Sequence, residues 1–188
     1  ADTGFGEPMN VARTVQELED AGLAGCHIED QVNPKRCGHL ENKNVVDEQT
    51  ALQRIAAAAQ ARRDENFLIM ARTDLRGVEG LEAAIARMRR LVEAGADAIF
   101  PEAMTSLEEF EMVRAAVDVP ILANMTEFGR SQLYTKDELA AAGVNLIIYP
   151  VTLLRASLGA MERVLETIAA EGTQEAAVDQ MLTRQRLY

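Results

Sequence analysis

The run Glu29-Asp30-Gln31-Val32-Asn33-Pro34-Lys35-Arg36-Cys37-Gly38-His39 follows an apolar stretch and sets one thiol among two cations and a histidine. Cations beside a thiol favour its ionised form, so the segment is suited to moving a proton. Gly38 adds backbone freedom and Asn33-Pro34 punctuates the approach, which makes this a loop able to close over a bound molecule. A solvated basic loop with an incidental cysteine fits the pentapeptide from Lys35 to His39 equally well.

Other polar residues end apolar runs in the same way. Arg72 and Asp74 follow residues 67–71, Glu102 follows 98–100, and Asn124, Thr126 and Glu127 follow 121–123, as Glu29 and Asp30 follow 24–28. Carboxylates without a His or Cys cluster at ligand spacing favour a hard cation, Mg2+ or Mn2+, over zinc. Such a cation polarises the hydroxyl of a 2-hydroxycarboxylate. Once that proton is lost, the oxygen can collapse to a carbonyl and expel a carbon leaving group. The carbanion must then be protonated, a task for a positioned thiol. The inventory points to a retro-aldol-type cleavage.

Bringing these residues together is the work of the elements between them. Apolar spacing predicts helices over residues 10–21, 47–63, 78–94, 106–117, 135–142 and 151–170, with a helical tail over 174–188. Strands are predicted over 24–28, 67–71, 98–100, 121–123 and 146–149. Ala21-Gly22, Ala94-Gly95 and Ala142-Gly143 each close a helix just before an apolar run, where glycine lets the backbone turn left-handed. Strand then helix, repeated with short links, is the pattern of a buried parallel sheet. An open doubly wound sheet and a (β/α)8 TIM-like barrel both fit, but no Gly-rich dinucleotide fingerprint follows a strand, so the barrel is preferred. In a barrel the C-terminal strand ends share one face, which holds the active site, and one pocket would receive the acids, Arg72 and the amide.

Length and composition agree. A chain of 188 residues, 48% hydrophobic and 26% charged, can fill one core, so residues 1–188 are expected to form one domain. The formal net charge of -11 excludes a nucleic-acid or anionic-membrane surface. No apolar run approaches the roughly 20 residues of a membrane span. Two cysteines, Cys26 and Cys37, are too few for a disulfide scaffold and suit a cytoplasmic setting.

Lys35-Arg36-Cys37-Gly38-His39, preceded by His27-Ile28-Glu29-Asp30-Gln31, resembles the signature of the isocitrate lyase and phosphoenolpyruvate mutase superfamily. Asp2-Thr3-Gly4-Phe5-Gly6, Met70-Ala71-Arg72-Thr73-Asp74, Phe100-Pro101-Glu102-Ala103, the run from Ala123 to Gly129, and Tyr149-Pro150 fall in the family's order. The resemblance implies a fragment of a (β/α)8 barrel, incomplete at both ends, lacking the first strands and a C-terminal helix exchanged between subunits. It also implies a homotetramer built as a dimer of helix-swapped dimers. Asp2, with a partner Asp expected just before Ala1, would hold Mg2+ (or Mn2+), and Glu29 would reach it through water. Cys37, with His39 and Arg72, would be catalytic, Cys37 delivering the proton and Arg72 gripping the carboxylate at the metal end. Gly38, His39, Glu102, Asn124 and Thr126 would bind the far carboxylate. The implied substrate is a small 2-hydroxy di- or tricarboxylate. The favoured reaction is cleavage of 2-methylisocitrate to pyruvate and succinate, Phe100 and residues 148–150 surrounding the extra methyl group. The alternatives are 2,3-dimethylmalate or isocitrate as substrate, or a truncated barrel kept as an oligomerisation or binding module.

Other residues carry plainer readings. Cys26 reads as a core thiol, His27 as a hydrogen-bonded core or supporting histidine, and Asp74 and Glu127 as acids that orient others. Asp30 reads as a loop brace, and Met70, Met104 and Met125 as packing residues. Arg87, Arg89 and Arg90 read as a solvated helix face.

Overall fold

Each apolar run predicted as a strand becomes one in the computed structural model, which describes residues 1–40 and 42–188. Among the described residues these are β1 (Gly25–Glu29), β2 (Leu68–Thr73), β3 (Ala98–Pro101), β4 (Leu122–Asn124) and β5 (Leu146–Ile148). All pairings between them are parallel. Glu29 lies opposite Arg72 and Arg72 opposite Phe100 across β1, β2 and β3. Asn124 lies opposite Ile148 across β4 and β5. A parallel bridge between Ile99 and Ile121 joins the two groups, so spatial order follows chain order.

Helix α1 (Pro8–Asp20) precedes β1, and α2 (Glu48–Ala61) links β1 to β2. The short α3 (Arg76–Glu79) and α4 (Leu81–Glu93) lead to β3, α5 (Leu107–Ala116) to β4, and α6 (Lys136–Ala141) to β5. Their starts follow local chemistry: the Asp47 carboxylate accepts the Thr50 N–H at 2.9 Å, and Thr135 and Glu138 form a reciprocal capping box. Three of their ends repeat one motif. Leu23, Ala96 and Val144 donate their N–H to the carbonyls of Leu18, Leu91 and Leu139, past Gly22, Gly95 and Gly143 at φ of 83°, 111° and 88°. These are Schellman closures, and each releases the chain into the next strand.

The chain divides into two compact units, Ala1–Ile148 and Tyr149–Tyr188. In the first, alternation along the strands sorts side chains to two faces. Ile28, Ile69, Ala71, Ile99 and Ala123 pack with Val11, Val15, Ile55, Met88, Leu91, Phe110 and Leu139 from the helices. Met70, Ala98, Phe100 and Leu122, with Leu68 and Ile148, form a separate cluster on the opposite face. The second unit consists of α7 (Thr152–Glu171), a 3-10 turn over Glu175–Gln180 and α8 (Arg184–Leu187). No helix among the described residues is long and apolar enough to cross a membrane.

Three expectations are corrected. The helix predicted over residues 78–94 is two helices, because Gly80 at φ 95° interrupts it. The tail over 174–188 is a 3-10 turn and a four-residue helix rather than one continuous helix. Arg87 is not solvated: it is 5% exposed and donates to Asp30 Oδ2 at 2.9 Å and to the Val46 carbonyl at 3.0 Å.

Candidate active site

Glu29, Arg72 and Asn124 stand at the C-terminal ends of β1, β2 and β4, in phase with Met70, Phe100 and Leu122, and Glu102 follows two residues after Phe100. They therefore share the face opposite the helices. Arg72 is the hub. Its guanidinium carbon lies 5.0 Å above the Phe100 ring, and its Nε lies 3.0 Å from Asp74 Oδ2 and 3.5 Å from Glu29 Oε2. Its Nη1 is 3.6 Å from Glu102 Oε2. Burial would lower the pKa of Arg72, but the Glu102, Asp74 and Glu29 carboxylates outweigh it and raise the value above the ordinary range. A guanidinium so fixed is a permanent fork for a carboxylate.

The N-terminal residues run beside β1. The Ala1 amino group donates to the His27 carbonyl at 3.0 Å, and the Glu29 N–H donates to the Asp2 carbonyl at 2.8 Å. This ladder sets the Asp2 carboxylate near that of Glu29, and one ammonium faces both: Lys35 Nζ is 3.3 Å from Glu29 Oε1 and 3.7 Å from Asp2 Oδ1. Glu29 is 1% exposed, and both its carboxylate oxygens are buried without a hydrogen bond. Burial pushes its pKa up, while Arg72 and Lys35 pull it down. Two carboxylates turned toward a cation are an all-oxygen donor set, which fits a hard divalent ion that keeps most of its waters. No group of three His, Cys, Asp or Glu side chains gathers at ligand distance among the described residues.

The loop between β1 and α2 is tied down at its base and its tip. At the base, Gln31 exchanges two hydrogen bonds with the Arg36 backbone, at 2.9 and 2.7 Å, and Val32 N–H donates to the Asn44 carbonyl at 2.9 Å. At the tip, Gly38 packs so tightly on Glu102 and Arg72 that a Cβ there would meet Arg72 Nη2 at 2.6 Å. His39 Nδ1 accepts the Arg130 N–H at 3.0 Å, so the ring proton belongs on Nε2, 2.9 Å from Glu102 Oε1. Asn124 Nδ2 lies 3.5 Å from that Nε2. Thr126 is buried beside Gly129, which in turn packs against His39. Cys37 rides this loop with its side chain exposed.

The structure thus brings Gly38, His39, Arg72, Glu102 and Asn124 together, with Thr126 beside them and the Asp2–Glu29 pair adjoining through Arg72 and Lys35. Asp74 is fully buried against Arg72 and Lys43, which hold its pKa down against the burial that raises it. Asp30 accepts from the Thr73 hydroxyl at 2.6 Å and the Asp74 N–H at 2.9 Å. His27 meets Phe100 edge-on at 5.7 Å, and burial raises the pKa of the half-buried Cys26. Tyr149 and Pro150 belong to the second unit.

Sequence reasoning missed Lys43, Gln31 and the burial of Arg87 and Arg54. For the arginines a signal existed. Arg87 falls in the stripe Ala84, Met88, Leu91, and Arg54 in Ala51, Ile55, Ala58, the i, i+3, i+4, i+7 positions that face a core. Lys43 lies in an aperiodic polar loop that offers no such signal.

The family model of phosphoenolpyruvate phosphomutase matches residues 1–169. A probable 2-methylisocitrate lyase 2 from Corynebacterium glutamicum is 59% identical over 188 residues, all of this chain and 61% of the relative. Among solved structures, a 2,3-dimethylmalate lyase superposes with a TM-score of 0.89 at 39% identity, over 100% of this chain and 62% of that one. A phosphonopyruvate hydrolase in complex with oxalate and Mg++ superposes at 0.82 and 28% identity, over 99% and 65%. The chain spans about three fifths of the length of the curated relative.

Proposed function

The chain belongs to the phosphoenolpyruvate phosphomutase family, and on that premise we propose that it is the barrel portion of a divalent-cation-dependent carbon–carbon lyase that cleaves 2-methylisocitrate to pyruvate and succinate. The observation that carries this reading is the convergence of Glu29, Arg72, Glu102 and Asn124 beneath a docked Cys37-Gly38-His39 loop, the buried Glu29 and Glu102 carboxylates held by ion pairs to Lys35, Arg72 and His39 and the Asn124 Oδ1 buried without a hydrogen bond. Buried acceptors without partners mark where a ligand would supply them. The five parallel strands in chain order are read as an arc of a (β/α)8 barrel, with the site at its C-terminal face.

Asp2 and Glu29 would hold Mg2+ or Mn2+, which supplies Lewis-acid charge to the 2-hydroxycarboxylate end of the substrate. Arg72 pairs with the carboxylate there, its fork held by Asp74. The Asn124 amide donates to the far carboxylate, with Gly38, His39, Glu102 and Thr126 shaping that end and the His39 Nε2–H held by Glu102. The substrate's hydroxyl proton passes to water, the carbon–carbon bond breaks, and its electron pair stays on the carbon that becomes part of succinate. Cys37, exposed on the loop, would turn inward to deliver a proton to that carbon, and its thiolate would regain a proton from water. The working assembly is read as a homotetramer of helix-swapped dimers in the cytoplasm.

Cys37→Ser tests this. Turnover should fall about a thousandfold, within the range of general acid catalysis, while Mg2+-dependent pyruvate binding by calorimetry stays within about twofold. Undiminished turnover removes Cys37 from the mechanism, and absence of pyruvate release from the native protein favours a binding module. The likeness to a 2,3-dimethylmalate lyase supports a second substrate reading, because one methyl group is worth only about 1–3 kcal/mol of discrimination. Assays of 2-methylisocitrate, isocitrate and 2,3-dimethylmalate side by side decide it, and a preference for either of the last two overturns the substrate assignment.

A further inference from the structure

We propose that Lys43 is a positioning residue that latches the Cys37 loop closed and, through Asp74, sets the orientation of Arg72. The Lys43 side chain is 3% exposed, and a buried ammonium persists only where its charge and its donors are matched. Its Nζ donates to Asp74 Oδ1 at 3.0 Å and to the carbonyl of Gly38, the residue next to Cys37. Asp74 is 0% exposed, and its other oxygen accepts from Arg72 Nε at 3.0 Å. One buried carboxylate therefore serves two cations, one on the loop and one on the strand that carries the candidate carboxylate grip.

The socket is shaped for this side chain. A Cβ at Gly77, in α3, would lie 3.0 Å from Lys43 Cε and 3.2 Å from Nζ, so glycine leaves room for the lysine tip. The remaining ties act elsewhere: Gln31 holds the loop base through Arg36, and His39 bonds beyond the thiol to Arg130 N–H and Glu102. Lys43 alone among these ties reaches both the Gly38 carbonyl and the acid that orients Arg72. Lifting the loop separates the Gly38 carbonyl from Lys43 and changes what Asp74 offers Arg72. Loop closure and carboxylate capture are thereby coupled. The effect on turnover rests on the lyase reading, whereas the effect on the loop does not.

Trypsin reads the loop directly, because Lys35 and Arg36 lie within it. Lys43→Met should speed cleavage after these residues by about tenfold or more, as expected when a charged buried hydrogen bond is lost from a locally opening segment. Cleavage after Arg62 and Arg63, outside the loop, should stay within about twofold, which separates local opening from global unfolding. Lys43→Arg should restore most of the protection. Gly77→Ala keeps the charge but crowds the lysine tip, and should give an intermediate rate even if the Met variant fails to fold. Loop cleavage at the native rate in both Lys43→Met and Gly77→Ala overturns the latch. In kinetics, KM for 2-methylisocitrate should rise about tenfold in Lys43→Met and return toward native in Lys43→Arg. Faster cleavage with an unchanged KM overturns the coupling to Arg72. A native protein without turnover, in which the cleavage difference persists, overturns the lyase reading and leaves the latch standing.

Discussion

His27 sits two residues before Glu29 on the same strand face, and its environment is hostile to a second proton. Burial first, then Arg72 and Lys35, bring its pKa down from 6.5 to about 4. In the unfolded chain the ring regains its ordinary value, so between those two pH values the unfolded state binds a proton that the folded state refuses. Stability should fall as pH drops through that window and level off below it. His27→Asn should flatten the slope by up to about 1.4 kcal/mol per pH unit, the equivalent of one proton. Urea unfolding of both proteins between pH 7 and pH 4, roughly the window set by those two values, measures this, and parallel slopes refute it. Arg72 makes a different prediction. Lysine keeps the charge but cannot span Asp74 and a substrate carboxylate at once, so Arg72→Lys should raise KM about tenfold or more in steady-state assays. The value of this arginine was readable from its place after an apolar run. The Lys43 partnership was not, because its acid lies 31 residues on and only the folded chain joins them.

The three glycines that close α1, α4 and α6 share a left-handed backbone but not their surroundings. A Cβ at Gly22 would meet nothing within 4 Å, whereas at Gly143 it would run into the Arg114 side chain. Gly22→Ala should therefore cost about 1–2 kcal/mol, the penalty of a left-handed residue alone. Gly143→Ala should cost more, since the contact adds to the same backbone strain. Denaturant midpoints rank the two, and equal losses would mean that Arg114 moves aside freely. These closures were legible as a repeated Ala-Gly before each apolar run, and the strands as runs ending in polar residues. The break at Gly80 was hidden because residues on both sides keep helical spacing, and only the φ of 95° shows the interruption. The tail also misled: its composition suits a helix, yet it forms a 3-10 turn and a four-residue helix.

The whole chain carries a net charge of -11, and at the candidate site Lys35, Lys43 and Arg72 are matched by Asp2, Glu29, Asp74 and Glu102. An anionic substrate is repelled at long range by this net charge, and salt screens that repulsion. Raising ionic strength from about 10 to 150 mM, where the screening length shortens from roughly 30 to 8 Å, should therefore increase kcat/KM. A decrease would show that the local cations dominate approach. Composition predicted the net acidity but not the meeting of three cations at one site, because the chain distributes its lysines and arginines widely and the fold collects them. The pairing of residues 1–2 with β1 has a consequence for chain integrity. Thr3 accepts from Asn33 Nδ2 at 2.8 Å while Asp2 faces Lys35, so adjacent side chains of this segment are committed to different tasks. Inserting one residue between Thr3 and Pro8 would bring Thr3 to the place of Asp2 and present a hydroxyl where the carboxylate now faces Lys35. The Asp2–Glu29 pairing across Lys35 is thus encoded as alignment as much as composition, and a frame slip could erase it while every residue type remained.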